Sequence, residues 1–401
     1  MMTHDGKATK LPYGALLALA MTGFICIVTE TLPAGLLPEI GEGLGISASL
    51  AGQMVTVYAL GSLLAAIPLT IATRSWRRRT VLLLTVVGFL LFNSITALSS
   101  VYWLTLIARF FAGVSAGLAW SLIGGYARRM VEPASQGRAM AVAMVGTPIA
   151  LSLGVPLGTW MGGAIGWRMS FAVMSGLTLV LIAWVLVKVP DYPGQLSSRR
   201  MPLRQVLFTP GVRPVLGVVL TWMLAHNILY TYVAPFVSIA GLGAHVDLVL
   251  LVFGIAALVG IWVGGRLVDR HLRTAVLLSL ATFAGVSVFF GMFSASATAI
   301  YLGVFVWGLT FGGAATLLQT ALADAAGEGA DVALSMNVVV WNSAIAGGGL
   351  LGGVLLGHWG AGAFAWVMLL VLLISLVIAF RARAHGFVQG ERVAGQVVAG
   401  H

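Results

Sequence analysis

The sequence predicts an all-α membrane protein of twelve transmembrane helices in two pseudo-symmetric six-helix bundles. Three observations carry this. Hydrophobic residues make up 59% of the 401 residues and charged residues only 8%, whereas a soluble domain is about 25% charged. Twelve apolar runs are each long enough to cross a hydrocarbon core of about 30 Å. Features of the first six runs recur in the last six at an offset of about 195 residues.

The runs read at 13–37, 48–72, 80–98, 102–127, 138–162, 168–188, 214–238, 247–268, 274–293, 297–322, 332–357 and 362–380. Lys7 and Lys10 precede the first run as they would in a signal sequence. That run outlasts a signal core and lacks a small-x-small cleavage site, so it reads as a retained spanning helix. Cys26 is the single cysteine, which excludes an intramolecular disulfide and argues against a thiolate metal site. No metal or cofactor is expected.

The basic residues set the orientation. They fall in the N-terminal tail, in the 2–3 loop (Arg74, Arg77, Arg78, Arg79) and in the 4–5 loop (Arg128, Arg129, Arg138). They continue in the 6–7 connection (Lys188, Arg199, Arg200, Arg204, Arg213), the 8–9 loop (Arg266, Arg270, Arg273) and the C-terminal tail (Arg381, Arg383, Arg392). These all lie on one side; the other side holds only Arg168. The positive-inside rule then places both termini in the cytoplasm of a plasma (inner) membrane. The net charge of +10 is thus an orientation signal and a contact for anionic lipid rather than a nucleic-acid surface. The 10–11 loop, with Asp324, Glu328 and Asp331 and no base, departs from the pattern, but acids weigh little in the rule.

The 6–7 connection contains Pro190, Pro193, Gly194, Pro202 and Pro210 and reads as a linker. The expected organisation is a bundle at 1–188, a cytoplasmic linker at 189–212, a second bundle at 213–381 and a tail at 382–401. The repeat superposes Arg74 on Asp269, Gly154 and Gly158 on Gly349 and Gly353, and Glu30 on a position next to His226. Two parallel repeats with a site between them describe alternating-access transport.

Short motifs then point to a family. The 8–9 loop reads `GGRLVDRHLR`, a Gly-x-Leu-x-Asp-Arg pattern through Gly265, Leu267, Asp269 and Arg270. In the 2–3 loop the Gly and Asp are replaced by Thr70 and Arg74, while the basic Arg78 and Arg79 remain. Helix 4 carries Arg109 and Gly113 in `ARFFAG`; helix 5 carries Gly154, Pro156, Gly158 and Gly162 in `GVPLGTWMGG`. `GWRMSF` opens helix 6, `TETLPAGLLPEI` ends helix 1, and `AHNILYTYVAPF` lies in helix 7. The chain resembles the major facilitator superfamily, most of all its twelve-helix drug:proton antiporter branch with the sugar-efflux and purine-efflux members. The resemblance covers nearly the whole chain. It implies a proton-coupled secondary transporter, not an enzyme, that exports a small organic molecule and works as a monomer. Gly154, Pro156, Gly158, Gly265, Asp269, Arg270, Arg78 and Arg79 would be its conformational motifs. Uptake by proton symport and a non-transporting receptor are the alternative readings.

Glu30 is the single carboxylate inside a long apolar run. A charge there costs about 2.5–3.5 kcal/mol on insertion scales and marks an ion or substrate path. Counted at about 1.5 Å per residue, Glu30 and Arg109 both sit roughly 10–13 Å below the outer surface. Opposite charges at one depth are expected to pair, and the resemblance implies adjacent helices 1 and 4. A carboxylate beside a guanidinium releases its proton more readily than one alone in an apolar setting. Moving Arg109 relative to Glu30 would therefore couple transport to protons; a static ion pair is the other reading. His226 and Tyr230 share a helix face at i and i+4, with Asn227 beside them. They form a candidate substrate site with Tyr58 and Asn342 in which His226 is a ligand, a packing residue or a second proton-coupling group. The glycine runs of helices 5 and 11 serve either a rocking contact between the bundles or tight static packing.

Overall fold

The computed structural model describes residues 11–132, 135–194 and 202–388. The charges at Lys7, Lys10, Arg199, Arg200 and Arg392 lie outside the described residues. Regular structure among the described residues is entirely helical. The first bundle contains α1 (Tyr13–Gly35), α2 (Ala48–Ala72), α3 (Arg78–Leu98), α4 (Tyr102–Arg129), α5 (Arg138–Ile165) and α6 (Trp167–Lys188). The second contains α7 (Val212–Thr231), α8 (246–270), α9 (272–293), α10 (Ala297–Ala326), α11 (Ala330–Trp359) and α12 (Ala363–Arg381).

Local chemistry sets several boundaries. Ser47 and Ser296 cap α2 and α10, their hydroxyls accepting from the N–H groups of Leu50 and Ala299 at 3.2 and 3.4 Å. Gly166 (φ 93°) turns α5 into α6, and Gly360 (φ 75°) turns α11 into α12. Both are left-handed positions that favour glycine, and they occupy equivalent places in the two halves. The expected 8–9 loop is absent: α8 and α9 form one 48-residue helical run broken only at His271 (φ −131°, ψ 31°). Unbroken, such a run would reach about 72 Å, more than twice a bilayer core. The single break therefore makes two spans.

Helix 5 is not a uniform α-helix. Ala150–Gly154 form one π turn, and Val155–Ile165 resume the α form with Pro156 in its first turn. Proline lacks the N–H that an α turn needs, and a widened turn accommodates that loss within the span. The glycine runs of helices 5 and 11 make both kinds of contact that the sequence left open. A β-carbon at Gly154 would meet Phe24 and Val28, and one at Gly158 would meet Leu32, all on α1 of the same bundle. In the second bundle Gly348 and Gly352 lie against Asn227, Ile228 and Tyr232 in the same way. These faces let the fifth helix of each half approach its first, as small residues do in membranes. The bundles meet elsewhere. Gly349 of α11 abuts Thr56 of α2, and Gly254 of α8 abuts Leu151 and Ser152 of α5.

The basic end of the molecule is tied together by the start of the 6–7 connection. Arg78 donates to the carbonyls of Thr73 (2.6 Å) and Arg74, closing the C-terminus of α2. Asp191 pairs with Arg77 and accepts from the Arg79 N–H at 3.2 Å, so an acid sits at the N-terminus of α3. Tyr126 and Arg129 of α4 donate to the carbonyls of Pro190 and Pro193 at 2.7 and 2.9 Å. Burial pushes the Asp191 carboxyl up, but donation from Arg77 and the Arg79 N–H outweighs it and holds the group below its ordinary value. Asp191→Asn is expected to speed tryptic cleavage in 195–213 several-fold at pH 7.5. A depressed folded value means the contribution persists above the unfolded carboxylate range, about 3.9, and fades as pH falls through the lowered value. Pepsin digestion of the wild type should therefore accelerate only at the acid end of that window.

Candidate functional site

Three polar neighbourhoods occupy the middle and the end opposite the basic loops. The first surrounds Arg109, which is fully buried. Its Nε donates to the Met54 carbonyl on α2 and its Nη2 to the Glu30 carbonyl on α1, both at 3.3 Å. Its Cζ lies 4.6 Å from the Tyr58 ring centroid and 5.7 Å from that of Phe171 on α6, within the range where a guanidinium is drawn to a ring face. Tyr58 is fully buried too and donates to the Cys26 carbonyl at 2.9 Å. Asn93 of α3 donates to Thr29 of α1 at 3.0 Å.

The expected Glu30–Arg109 ion pair does not form in this arrangement. The depth match holds, but the guanidinium meets the main chain of Glu30 rather than its carboxylate. The last turns of α1 present carbonyl dipoles that favour a cation, and Arg109 uses one of them. The Glu30 carboxylate has no hydrogen bond or ion pair among the described residues, and the residue retains 7% of its surface. Tyr230, on α7 of the other bundle, lies within its electrostatic reach. The Tyr230 hydroxyl is buried without a hydrogen bond of ordinary geometry, and Thr31 of α1 stands beside it.

The second neighbourhood is an aromatic box. His226 stacks on Phe311 of α10, with ring centroids 3.8 Å apart and planes 10° from parallel. Tyr230 stacks at 5.1 Å and 26°, Trp307 donates from Nε1 to His226 Nδ1 at 3.2 Å, and Phe253 of α8 packs 4.5 Å from Trp307. The Trp307 bond assigns the imidazole proton to Nε2. Trp307 and Phe253 are fully buried, while Phe311 is half-buried. Sequence reading found His226 and Tyr230 but missed Phe253, Trp307 and Phe311. The i, i+4 spacing of Trp307 and Phe311 puts them on one face, a signal hidden among many apolar residues. Asn227 donates to the Met223 carbonyl at 2.7 Å and Asn342 to that of Val338 at 2.9 Å. Each thus spends a donor within its own helix.

The third neighbourhood locks the bundles at the end opposite the basic loops. α7 breaks at Tyr232 (φ −116°, ψ 33°) before a short helix, Val233–Ser238. The Tyr232 hydroxyl donates to the Gly349 carbonyl at 2.8 Å and receives from Gln53 Nε2 at 3.1 Å. Ser49 donates to the Gly353 carbonyl at 2.8 Å. The ring lies in a notch between α2 and α11, where a β-carbon at Gly52 or Gly352 would collide with it. At the basic end, Gly265 has open space around it, and the close α8–α10 approach falls to Gly260 and Gly264 instead. Asp269 and Arg270 are exposed beside the break at His271.

The sequence pattern of the Major Facilitator Superfamily matches residues 19–349. This chain belongs to that superfamily. It is 30% identical over 354 residues to the purine ribonucleoside efflux pump NepI of Escherichia coli O6:H1, covering 86% of this chain and 88% of NepI. The match to NepI of Shigella flexneri has the same extent. Among solved superfamily structures, a bacterial homolog of the human lysosomal transporter Spinster, inward-facing and occupied, aligns with a TM-score of 0.74 at 14% identity. The alignment covers 92% of this chain and 96% of that one. The xylose transporter XylE from E. coli, partially occluded and inward open, aligns with a TM-score of 0.74 at 14% identity over 93% and 99%. The chain is a multi-span transporter of small molecules, as its superfamily requires.

The Tyr232 lock yields a direct expectation. With spin labels at Glu42→Cys and His245→Cys in a Cys26→Ala background, Tyr232→Ala should shift the distance distribution toward longer separations. Gly52→Val should act in the same direction by expelling the ring. An unchanged distribution in both variants would show that the notch does not hold the bundles together.

Proposed function

We propose that this protein is a proton-driven exporter of a planar, nucleoside-like small molecule, working as a monomer by alternating access. Both termini and the basic loops face the cytoplasm of the inner membrane, so the Tyr232 lock closes the side facing out. The observation that carries the proposal is the Glu30 carboxylate. It is buried and free of bonded partners among the described residues, and it lies between the Arg109–Tyr58 cluster of one bundle and Tyr230 of the other.

Arg109 is tied to two carbonyls and two ring faces, so it moves with the first bundle. Tyr230 moves with the second. Rocking one bundle against the other changes what Glu30 faces while its distance to Arg109 stays nearly fixed. The carboxylate holds a proton where its surroundings are apolar and releases it where water or a donor reaches it. The similarity to NepI supports a purine ribonucleoside-like cargo. The aromatic box supports it on physical grounds: the half-buried Phe311 is backed by His226 and presents a firm plate to a planar base. Stacking of that kind is worth about 1–3 kcal/mol per base.

Glu30→Gln tests the proton step. In everted vesicles with an acid interior, the wild type should accumulate labelled inosine and dissipate part of the gradient. The variant should lose at least tenfold of the uphill transport while keeping inosine binding within about threefold. Its fold should survive, because Arg109 does not depend on the carboxylate for a partner. Uphill transport at the wild-type level in Glu30→Gln would refute the coupling role. Phe311→Ala should weaken inosine binding by about tenfold and ribose binding not at all, by isothermal titration of the purified protein. Equal loss for both ligands would remove the stacking role.

A further inference from the structure

A groove of about 760 Å³ opens between α9 and α12 at the basic end, away from the three neighbourhoods above. Its rim carries two guanidinium groups. Arg273, at the start of α9, is buried and donates to the carbonyls of Ala379, Phe380 and Phe387 at 3.0–3.2 Å, closing the C-terminus of α12. Arg383 is exposed and lies within electrostatic reach of Arg273. Among the described residues no carboxylate lines the groove. Two like charges are thus held together with no anion between them among the described residues.

The wall below the rim is apolar. Leu278 and Phe380 are 62% and 66% exposed, and Ala281 continues the face of α9 two turns beyond Arg273. Eight residues of helix separate Arg273 from Ala281, about 12 Å along the axis. Charge lies at the membrane surface, and the apolar wall descends toward the bilayer interior. A free anion would use only the rim and gain nothing from the wall. A phospholipid matches both, with its phosphate between the arginines and an acyl chain along Leu278. Basic recesses between spanning helices on the cytoplasmic side suit anionic headgroups.

We propose that the α9–α12 groove is a binding site for an anionic phospholipid of the cytoplasmic leaflet. The choice of leaflet rests on the proposed orientation; the binding itself does not, and it is measured without transport. Native mass spectrometry of the full chain, released from detergent with added phosphatidylglycerol or phosphatidylcholine, provides the test. The wild type should retain phosphatidylglycerol at least fivefold more than phosphatidylcholine. Arg383→Glu, which supplies an internal anion, and Leu278→Trp, which fills the wall, should each abolish that preference. Lipid-free melting temperatures should stay unchanged, and Glu30→Gln should retain lipid like the wild type. Equal retention of both lipids, or a preference that survives both groove variants, would overturn the proposal. Displacement of phosphatidylglycerol by an equal concentration of inorganic phosphate would also overturn it, by revealing a free-anion site.

Discussion

A guanidinium in the middle of a membrane must be surrounded before the protein around it can be stable, and the first bundle is organised by that need. Taking an ion of this size out of water costs several kcal/mol even after relaxation. Arg109 recovers the cost from carbonyls of α1 and α2 and from the faces of Tyr58 and Phe171. A single side chain on α4 thereby fixes α1, α2 and α6 around it. Its remaining nitrogen, Nη1, is buried without a partner. Because the solution uses backbone and rings, the nearby carboxylate is released from structural duty. A titratable group can change its charge in such a setting without taking the fold with it.

The relation between the bundles depends on where glycine permits backbone contact. α2 meets α11 and α5 meets α8, two junctions related by the same internal symmetry that relates Gly166 to Gly360. Around them, α1 and α7 face each other across the centre, with Glu30 and Thr31 on one and His226 and Tyr230 on the other. The hydrogen bonds from Ser49 to Gly353 and from Gln53 to Tyr232 join the bundles near one end. Each is directional and only partly buried, a suitable strength for a contact that must break in every cycle.

Much of this was legible in the sequence, for identifiable reasons. Spanning helices follow from apolar length, and the depth of Glu30 and Arg109 follows from helical rise. The stacking of His226 with Tyr230 follows from i, i+4 geometry. Rotation about the helix axis was not legible, and it decides what a side chain meets. That is why the carboxylate and guanidinium agree in depth yet do not bond, and why Gly154 and Gly158 pack on α1 rather than on the other bundle. The aromatic box was invisible because its members come from three helices and look, one by one, like ordinary membrane residues. The break at Tyr232 is marked in the sequence only by Pro235, which has no N–H to give the Thr231 carbonyl and so ends α7 there.

Asp191 shows how a lost residue can be replaced from a distance. The 2–3 loop has Arg74 where the matching α8–α9 junction has Asp269, and read along the chain its pattern is incomplete. In space, a carboxylate still reaches that loop, delivered by a residue more than a hundred positions later. The two halves have thereby ceased to be interchangeable parts. A chimera built from two copies of residues 1–188 would carry the loop but leave its acid behind, and its second copy would have no counterion unless Asp191 were transplanted with it. The unit of inheritance for this bundle is six helices together with the opening residues of the 6–7 connection.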